Sequence, residues 1–232
     1  MTTSRAQAVS RVVNELRSLN KDEYYSRRAI LQMLEDKATF LLSQKLGDRS
    51  IYREQKIFTH LPCFELEKDD AIRCEIAELR RCDILMKSKH KLPEIIASRY
   101  GEGILNVTAI DGYSQFDQIS ARDYAALKNR KYASINNLVY LIKDGYLYIP
   151  NQEVLAVNLD ILTLRVEDIV NISTCSKEDC CKSYWEYPLI NSDKLAESVI
   201  REVIQEAVGT FRSIPIDENP NKDSNIKSST VQ

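Results

Sequence analysis

The residues best suited to metal chemistry are two histidines and six cysteines, which are scattered along the chain. His60 and Cys63 are close enough in sequence to form half of a zinc site, with Cys74 or Cys82 as further ligands. A structural zinc site usually draws on two close-spaced ligand pairs, and the chain contains no CxxC pair. Free cysteine, in contrast, is often a small core residue. We therefore predict that these sulfurs remain thiols and that no metal is bound.

A second cysteine cluster consists of Cys175, Cys180 and Cys181, in a loop-like stretch that supplies no histidine. Vicinal cysteines can bind soft metals or form strained disulfides, but three thiols without a further ligand are a weak motif. The N-terminal stretch has no uninterrupted apolar region of the kind that a secretory signal contains. Cysteines of a protein kept in a cytoplasm remain reduced, which favours ordinary thiols here as well.

Signatures of hydrolytic and transfer enzymes are absent from the sequence. It contains no GxSxG, no P-loop, no GxGxxG, no HExxH and no DxDxDG. Acid pairs such as Asp69-Asp70 and Glu178-Asp179 could serve acid–base chemistry, but nothing indicates a pocket around them, so solvated turns are favoured. The sequence predicts no enzyme, no catalytic residue and no cofactor.

Charge gives little general attraction for nucleic acid, because the formal net charge is -2 and the isoelectric point is near 5.9. Two local basic stretches, 87–91 and 128–132, leave one alternative open: a small cytoplasmic nucleic-acid-binding or regulatory module, with Tyr124 and Tyr132 as stacking aromatics. No window approaches the ~20 apolar residues of a membrane span. No membrane association is predicted.

The element on which the rest of the chain depends is the stretch 136–151, NNLVYLIKDGYLYIPN. Asp144-Gly145 supplies the positive-φ positions of a type I′ turn between two runs rich in β-branched and aromatic residues, which predicts a β-hairpin. Both faces of this hairpin are apolar, so other segments must cover it. Asp111-Gly112 predicts a second hairpin with the same turn chemistry.

Helices are predicted at both ends of the chain. Apolar residues recur at helical spacing in 4–19 and again in a second helix that ends near Gly47, while the clearest helix runs from near Asp193 to Phe211. Its broad apolar side needs cover from the first two helices. We predict an α+β fold in which these helices form a bundle with a β-rich insertion.

The predicted division of the chain is helices in 1–47, a β-rich insertion in 48–190, a helix in 191–212 and an extended polar tail in 213–232. Within the insertion, the composition favours short strands around Pro62, a polar linker with one helical turn in 121–132, and a strand pair in 154–166. The stretch 69–91 fits either alternating strands or a helix, and we favour strands.

Several segments together resemble a known family. They are KSKHKLPEII, YGEGILNVTAIDG, NRKYASINNLVYLIKDGYLYIP and ESVIREVIQEAVGTFRS, within residues 87–213. The series resembles the head-to-tail connector or ring proteins of crAss-like bacteriophages and, more distantly, the tail tubular or adaptor proteins of podoviruses. These motifs are hairpins and a helix, not catalytic signatures.

The resemblance implies a structural virion protein that is assembled in the host bacterial cytoplasm and lies at the head–tail junction or in the tail. Its partners would be itself, as a dodecameric ring, the portal protein and adjacent tail or ring proteins. DNA would pass through the bore without specific binding and leave through it during genome ejection.

Two sets of residues become candidate sites in such a ring. Glu202 and Glu206 are adjacent on the last helix and lack a partner on that helix, so they could face the channel and repel phosphates. Ile214 and Ile216 open the polar tail and are suited to ordering on a neighbouring subunit or on the portal.

Overall fold

The computed structural model of this chain describes residues 2–19, 26–48, 50–70, 79, 82, 84–99, 101–128, 138–172 and 182–212. The described residues contain both helices and strands, which confirms the predicted α+β class. The helices are α1 (Arg5–Leu19), α2 (Arg27–Gly47), α3 (Ala121–Lys128), α4 (Val166–Ile172) and α5 (Asp193–Arg212). The strands are β1 (Thr59–Lys68), β2 (Leu85–Ser88), β3 (Ala97–Ser98), β4 (Gly101–Glu102), β5 (Ile104–Ala109), β6 (Gln115–Gln118), β7 (Val139–Lys143), β8 (Tyr146–Pro150) and β9 (Ala156–Ile161).

Seven strands form a closed barrel in the order β1-β2-β8-β7-β6-β5-β9. Neighbouring strands are antiparallel except β6 and β7, which run parallel and pair only at Asp117–Val139 and Gln118–Tyr140. Side chains fill the interior, as expected of a small barrel. The buried interior residues include Leu61, Phe64, Val107, Phe116, Tyr140, Leu147, Ile149, Val157, Leu159 and Ile161.

The β7–β8 hairpin turns at Asp144 and Gly145, whose φ angles are 53° and 80°. Leu141 pairs with Tyr148 and Lys143 with Tyr146, so the ladder continues up to the turn. The φ values explain the residue choice, because glycine and aspartate tolerate the left-handed region better than branched residues.

The helical layer lies beside the barrel and has its own core. α5 packs against both α1 and α2. On α1, residues Val9, Val12, Val13 and Leu16 recur at helical spacing and are buried. The two helices that frame this layer begin side by side, since the backbone N–H of Thr3 donates to the carboxylate of Asp193 at 2.9 Å.

Barrel and helical layer meet at a backbone junction. The N–H of Ile96 donates to the carbonyl of Leu162, the N–H of Gly103 donates to Ile96, and the N–H of Leu162 donates to Gly103, at 2.9, 2.9 and 2.7 Å. A Cβ at Gly103 would lie 2.6 Å from the Ile96 oxygen and 2.8 Å from the Leu162 Cβ. Only glycine fits this junction without displacing its neighbours.

α3 covers the outer face of the barrel, where the sequence had predicted a linker with one helical turn. Tyr124 of α3 is buried beside Cys82, with 3.2 Å between its hydroxyl oxygen and the cysteine sulfur. Asn151 donates to the same hydroxyl at 2.8 Å. The apolar contact with the barrel stabilises a helix that local propensity alone leaves marginal.

The predicted strand pair in 154–166 is wrong, because only β9 forms. The apolar pattern continues beyond Ile161 since Leu162 belongs to the core of the helical layer, and α4 begins at Val166. Strand structure around Pro62 is confirmed, but it forms one long strand and not several short ones. Two 3-10 turns, Ser50–Arg53 and Gln55–Ile57, precede the long strand β1, which includes Pro62 at an irregularity between Leu61 and Phe64.

Cys63 lies at this irregularity with a φ of 51°, and its N–H donates to the Asn158 side chain at 3.0 Å. Its sulfur is disulfide-bonded. The prediction that all cysteines are thiols is therefore wrong for Cys63, because spacing along a chain does not indicate which sulfurs meet after folding. Cys82 is a free, buried thiol. The other four cysteines lie outside the described residues, as does most of 69–91 before β2.

Candidate assembly surfaces

The residues first considered for metal chemistry do not come together in the described part of the chain. His60 pairs with Asp160, with 2.8 Å between the ring nitrogen Nδ1 and the carboxylate oxygen, and Cys63 is committed to its disulfide. The described residues hold no cluster of three or more histidine, cysteine or acidic side chains with metal-binding geometry. None of their helices has the length and apolar character required to cross a membrane.

The predicted acidic pair lies on α5 and has a partner that the sequence did not reveal. Lys37 of α2 places its Nζ 3.3 Å from a carboxylate oxygen of Glu202 and 3.6 Å from one of Glu206. The two glutamate side chains remain 43% and 58% exposed. Packing of α5 on α2 was predictable from the apolar stripes, but the register that brings Lys37 between the two carboxylates was not. The tail with Ile214 and Ile216 lies outside the described residues.

The strongest polar cluster centres on Arg5, which sequence reasoning passed over as an ordinary residue in the first turn of a helix. Its side chain is 1% exposed. The guanidinium approaches Glu167 at 3.1 Å and Glu35 at 3.4 Å, and donates to the carbonyl of Leu164 at 2.6 Å. It also lies over the ring of Tyr184, 4.1 Å from the centroid. Arg5 therefore connects α1, α2, α4 and the segment before α5.

Burial, reinforced by the hydrogen bond to Glu35, raises the pKa of Tyr184 to about 12. The hydroxyl of Tyr184 donates to the Glu35 carboxylate at 2.6 Å. The tyrosine therefore stays protonated at physiological pH and remains a hydrogen-bond donor to Glu35.

A cleft of about 530 Å³ opens beside this cluster, between α2, the segment 94–97 and the start of α4. We call it the acidic cleft, because five carboxylates line it against two guanidiniums: Glu35, Asp36, Glu94, Glu167 and Asp168 against Arg5 and Arg165. Glu94 is paired with Arg165 at 3.1 Å. Among the described residues, the side chains of Asp36 and Asp168 form no ion pair. The cleft therefore carries unbalanced negative charge.

The basic stretch 87–91 is folded against tyrosines and a carboxylate. The Nζ of Lys87 lies 4.5 Å from the ring centroid of Tyr146, and that of Lys91 lies 5.6 Å from it. Lys89 pairs with Glu65 at 2.7 Å. Lysines already lie over the ring of Tyr146, and Tyr124, one of the two proposed stacking residues, is buried. Neither ring is available to stack on a base, which disfavours the nucleic-acid-binding alternative. Residues 129–132 of the second basic stretch lie outside the described residues.

Large exposed apolar side chains gather at the end of the barrel where β5 meets β9. Ala109 pairs with Val157, which places the Asp111-Gly112 turn beside Leu155. Tyr113 is 94% exposed, and Ile110 and Leu155 are exposed as well. On the helical layer, Phe40 of α2 is exposed and directly follows Thr39, which lines the acidic cleft. Scattered exposed apolar residues are normal, but a group of three at one end is typical of a contact surface.

Comparison with known proteins gives one family. A family model described as phage tail ring protein 2 matches residues 7–226. No curated protein matches the chain.

Proposed function

Because the chain belongs to the phage tail ring protein 2 family, we propose that it forms the ring that connects the portal to the tail and encloses part of the DNA conduit. The family gives the coarser role: a structural ring component of the phage tail, located in the virion, which associates with itself and with tail proteins. The match over residues 7–226 is the observation that carries this function, because it spans the helical layer and the barrel together.

In this proposal the helices of 1–47 and 191–212 form one layer of the ring and residues 48–190 form the barrel domain. The ring is a dodecamer, assembled in the host cytoplasm from separate subunits. The charged and apolar surfaces described above support this role, since a ring subunit must contact neighbours on several sides.

Glu202 and Glu206 face the channel in this proposal. Their exposure supports it, and Lys37 moderates the charge without removing it, since one ammonium group faces two carboxylates. A negative wall would repel phosphates and prevent the duplex from binding to the channel.

The tail with Ile214 and Ile216 orders on the next subunit or on the portal, where burial of two isoleucines helps to offset the loss of chain entropy.

Electron microscopy of the purified protein, alone and with its portal, tests the ring. The expected result is a closed ring that stacks on the portal. A protein that stays monomeric under both conditions would contradict the proposed function.

Channel position is tested separately in virions carrying Glu202→Lys with Glu206→Lys, in which genome ejection should be slower while the ring still assembles. Deletion after Ser213 should leave the melting of the subunit intact and weaken docking to its neighbours.

A further inference from the structure

Arg27 and Arg28 open α2 in an electrostatically unfavourable place. Both side chains are exposed, and the first turn of the helix contains no acidic residue. Cations at a helix N-terminus face the positive end of the helix dipole. Among the described residues, neither guanidinium forms an ion pair or a hydrogen bond. The subunit therefore displays two adjacent positive charges that its described part does not neutralise.

The acidic cleft, in contrast, carries negative charge that is not neutralised. Asp36 and Asp168 add negative charge that no described side chain pairs with, while the other carboxylates are bound to Arg5 or Arg165. Carboxylates without a partner favour a cation, and a basic segment of another chain supplies one.

The two features cannot satisfy each other within one subunit. Arg28 and Asp36 lie on the same helix, eight residues apart, which corresponds to ~12 Å of axial rise. An ion pair requires the charged atoms to approach within ~4 Å. Between two subunits no such limit applies. A closed ring moreover needs a heterologous contact, in which two different patches of the same chain meet on adjacent copies.

Resting on the proposed ring, we infer that adjacent subunits bind through these charges. Arg27 and Arg28 of one copy enter the acidic cleft of the next, where they pair with Asp36 and Asp168. Phe40, exposed beside the cleft, adds apolar contact at its rim. Since the paired groups are partly exposed, salt screens the contact, and ring formation should weaken as the Debye length falls from ~8 Å at physiological ionic strength to ~3 Å at 1 M.

Charge exchange between two variants of the full-length chain tests the contact. The donor variant carries Arg27→Glu and Arg28→Glu, and the acceptor variant carries Asp36→Lys and Asp168→Lys. Mass photometry and sedimentation velocity measure assembly, and circular dichroism during heating measures folding. Matched controls reverse exposed charges elsewhere: Arg122→Glu on α3 and Glu153→Lys between β8 and β9.

The controls should form rings like the wild type. Each variant alone should melt normally and assemble at least ~10-fold more weakly, the scale expected for close charge pairs. An equimolar mixture should rebuild rings of alternating subunits, because every contact then joins opposite charges again. If Asp168→Lys harms folding at the start of α4, Asp36→Lys alone serves as acceptor variant, since this residue is exposed in the middle of α2.

Variants that assemble as well as the wild type would overturn the inference while leaving the ring function intact. A mixture of folded variants that does not recover would also overturn it, because loss of assembly without rescue does not indicate pairing of these groups. A wild-type chain that forms no ring, alone or on its portal, would instead contradict the proposed function.

Discussion

Replacement of Arg5 by methionine should destabilise the subunit more than any single surface change. Methionine retains much of the side-chain volume but removes the charge, the donors to Leu164 and Tyr184, and the cation that faces Glu35 and Glu167. Removal of one partner from a buried ion pair costs about 3–5 kcal/mol, because the remaining charge stays desolvated.

The two carboxylates are not fully buried, since Glu35 is 28% and Glu167 is 22% exposed. Partial hydration after the substitution places the expected loss at the lower end, about 3 kcal/mol. That is a large part of the 5–15 kcal/mol by which folded domains are typically stable. For a chain of this length it corresponds to a fall of about 6–12 °C in melting temperature.

Arg11 offers a matched control on the same helix. Its ion pair with Glu197 has a similar length, 3.0 Å, but the two side chains are 52% and 43% exposed. Exposed pairs contribute roughly 0–1 kcal/mol, so Arg11→Met should change the melting temperature little. Urea and thermal unfolding, followed by circular dichroism, measure both variants.

A double-mutant cycle then localises the effect. Glu167→Gln combined with Arg5→Met should be less destabilising than the sum of the two single changes, because both remove the same interaction. Equal effects of Arg5→Met and Arg11→Met, or simple additivity with Glu167→Gln, would refute the view that the buried guanidinium holds the helical layer to α4.

Three further predictions concern single residues. Gly103→Ala should destabilise by about 1–3 kcal/mol through overpacking at the junction. The same change at Gly209, which has open space around it, should stabilise by about 0.5–1 kcal/mol. If both substitutions shifted the thermal unfolding midpoint in the same direction, the junction geometry would be contradicted. Gly145→Val should cost about 1–3 kcal/mol, because the turn holds a positive φ, and an unchanged unfolding midpoint would remove that assignment. Burial raises the pKa of Glu102, so the charged side chain should destabilise the fold at neutral pH, and this should disappear as pH falls through the folded pKa. Glu102→Gln should therefore melt higher at pH 7 and equally at about pH 4, near the unfolded pKa; a gain that persists at the lower pH would contradict this.

Local patterns in the sequence predict the elements whose cause is local. Helical spacing of apolar residues predicts α1 and α5, and the Asp-Gly dipeptide carries the chemistry of the turn at Asp144. The apolar alternation predicts a strand after Ile161 that does not form. Leu162 is apolar because it packs in the core of the helical layer. A single sequence shows only that a residue is apolar, and it does not distinguish burial against a neighbouring layer from burial within a sheet.

The acidic cleft was not predictable, because its parts come from distant positions. Arg5 and Glu167 are 162 residues apart, and their contact depends on α4, which the sequence reading missed. The same limit applies to barrel closure, where the parallel contact of β6 with β7 rests on two residue pairs. No periodic signal marks so short a pairing.

Closure of the barrel has a consequence for the behaviour of the chain at high concentration. A sheet with a free edge strand exposes unpaired N–H and C=O groups, onto which another chain can add its own strand. The seven barrel strands offer no such edge, and in the described part of the chain only the β3–β4 ribbon, two residues per strand, remains open in this way. Subunits can therefore be present at high concentration without polymerising through backbone strand addition. Association between subunits then depends on complementary side-chain surfaces.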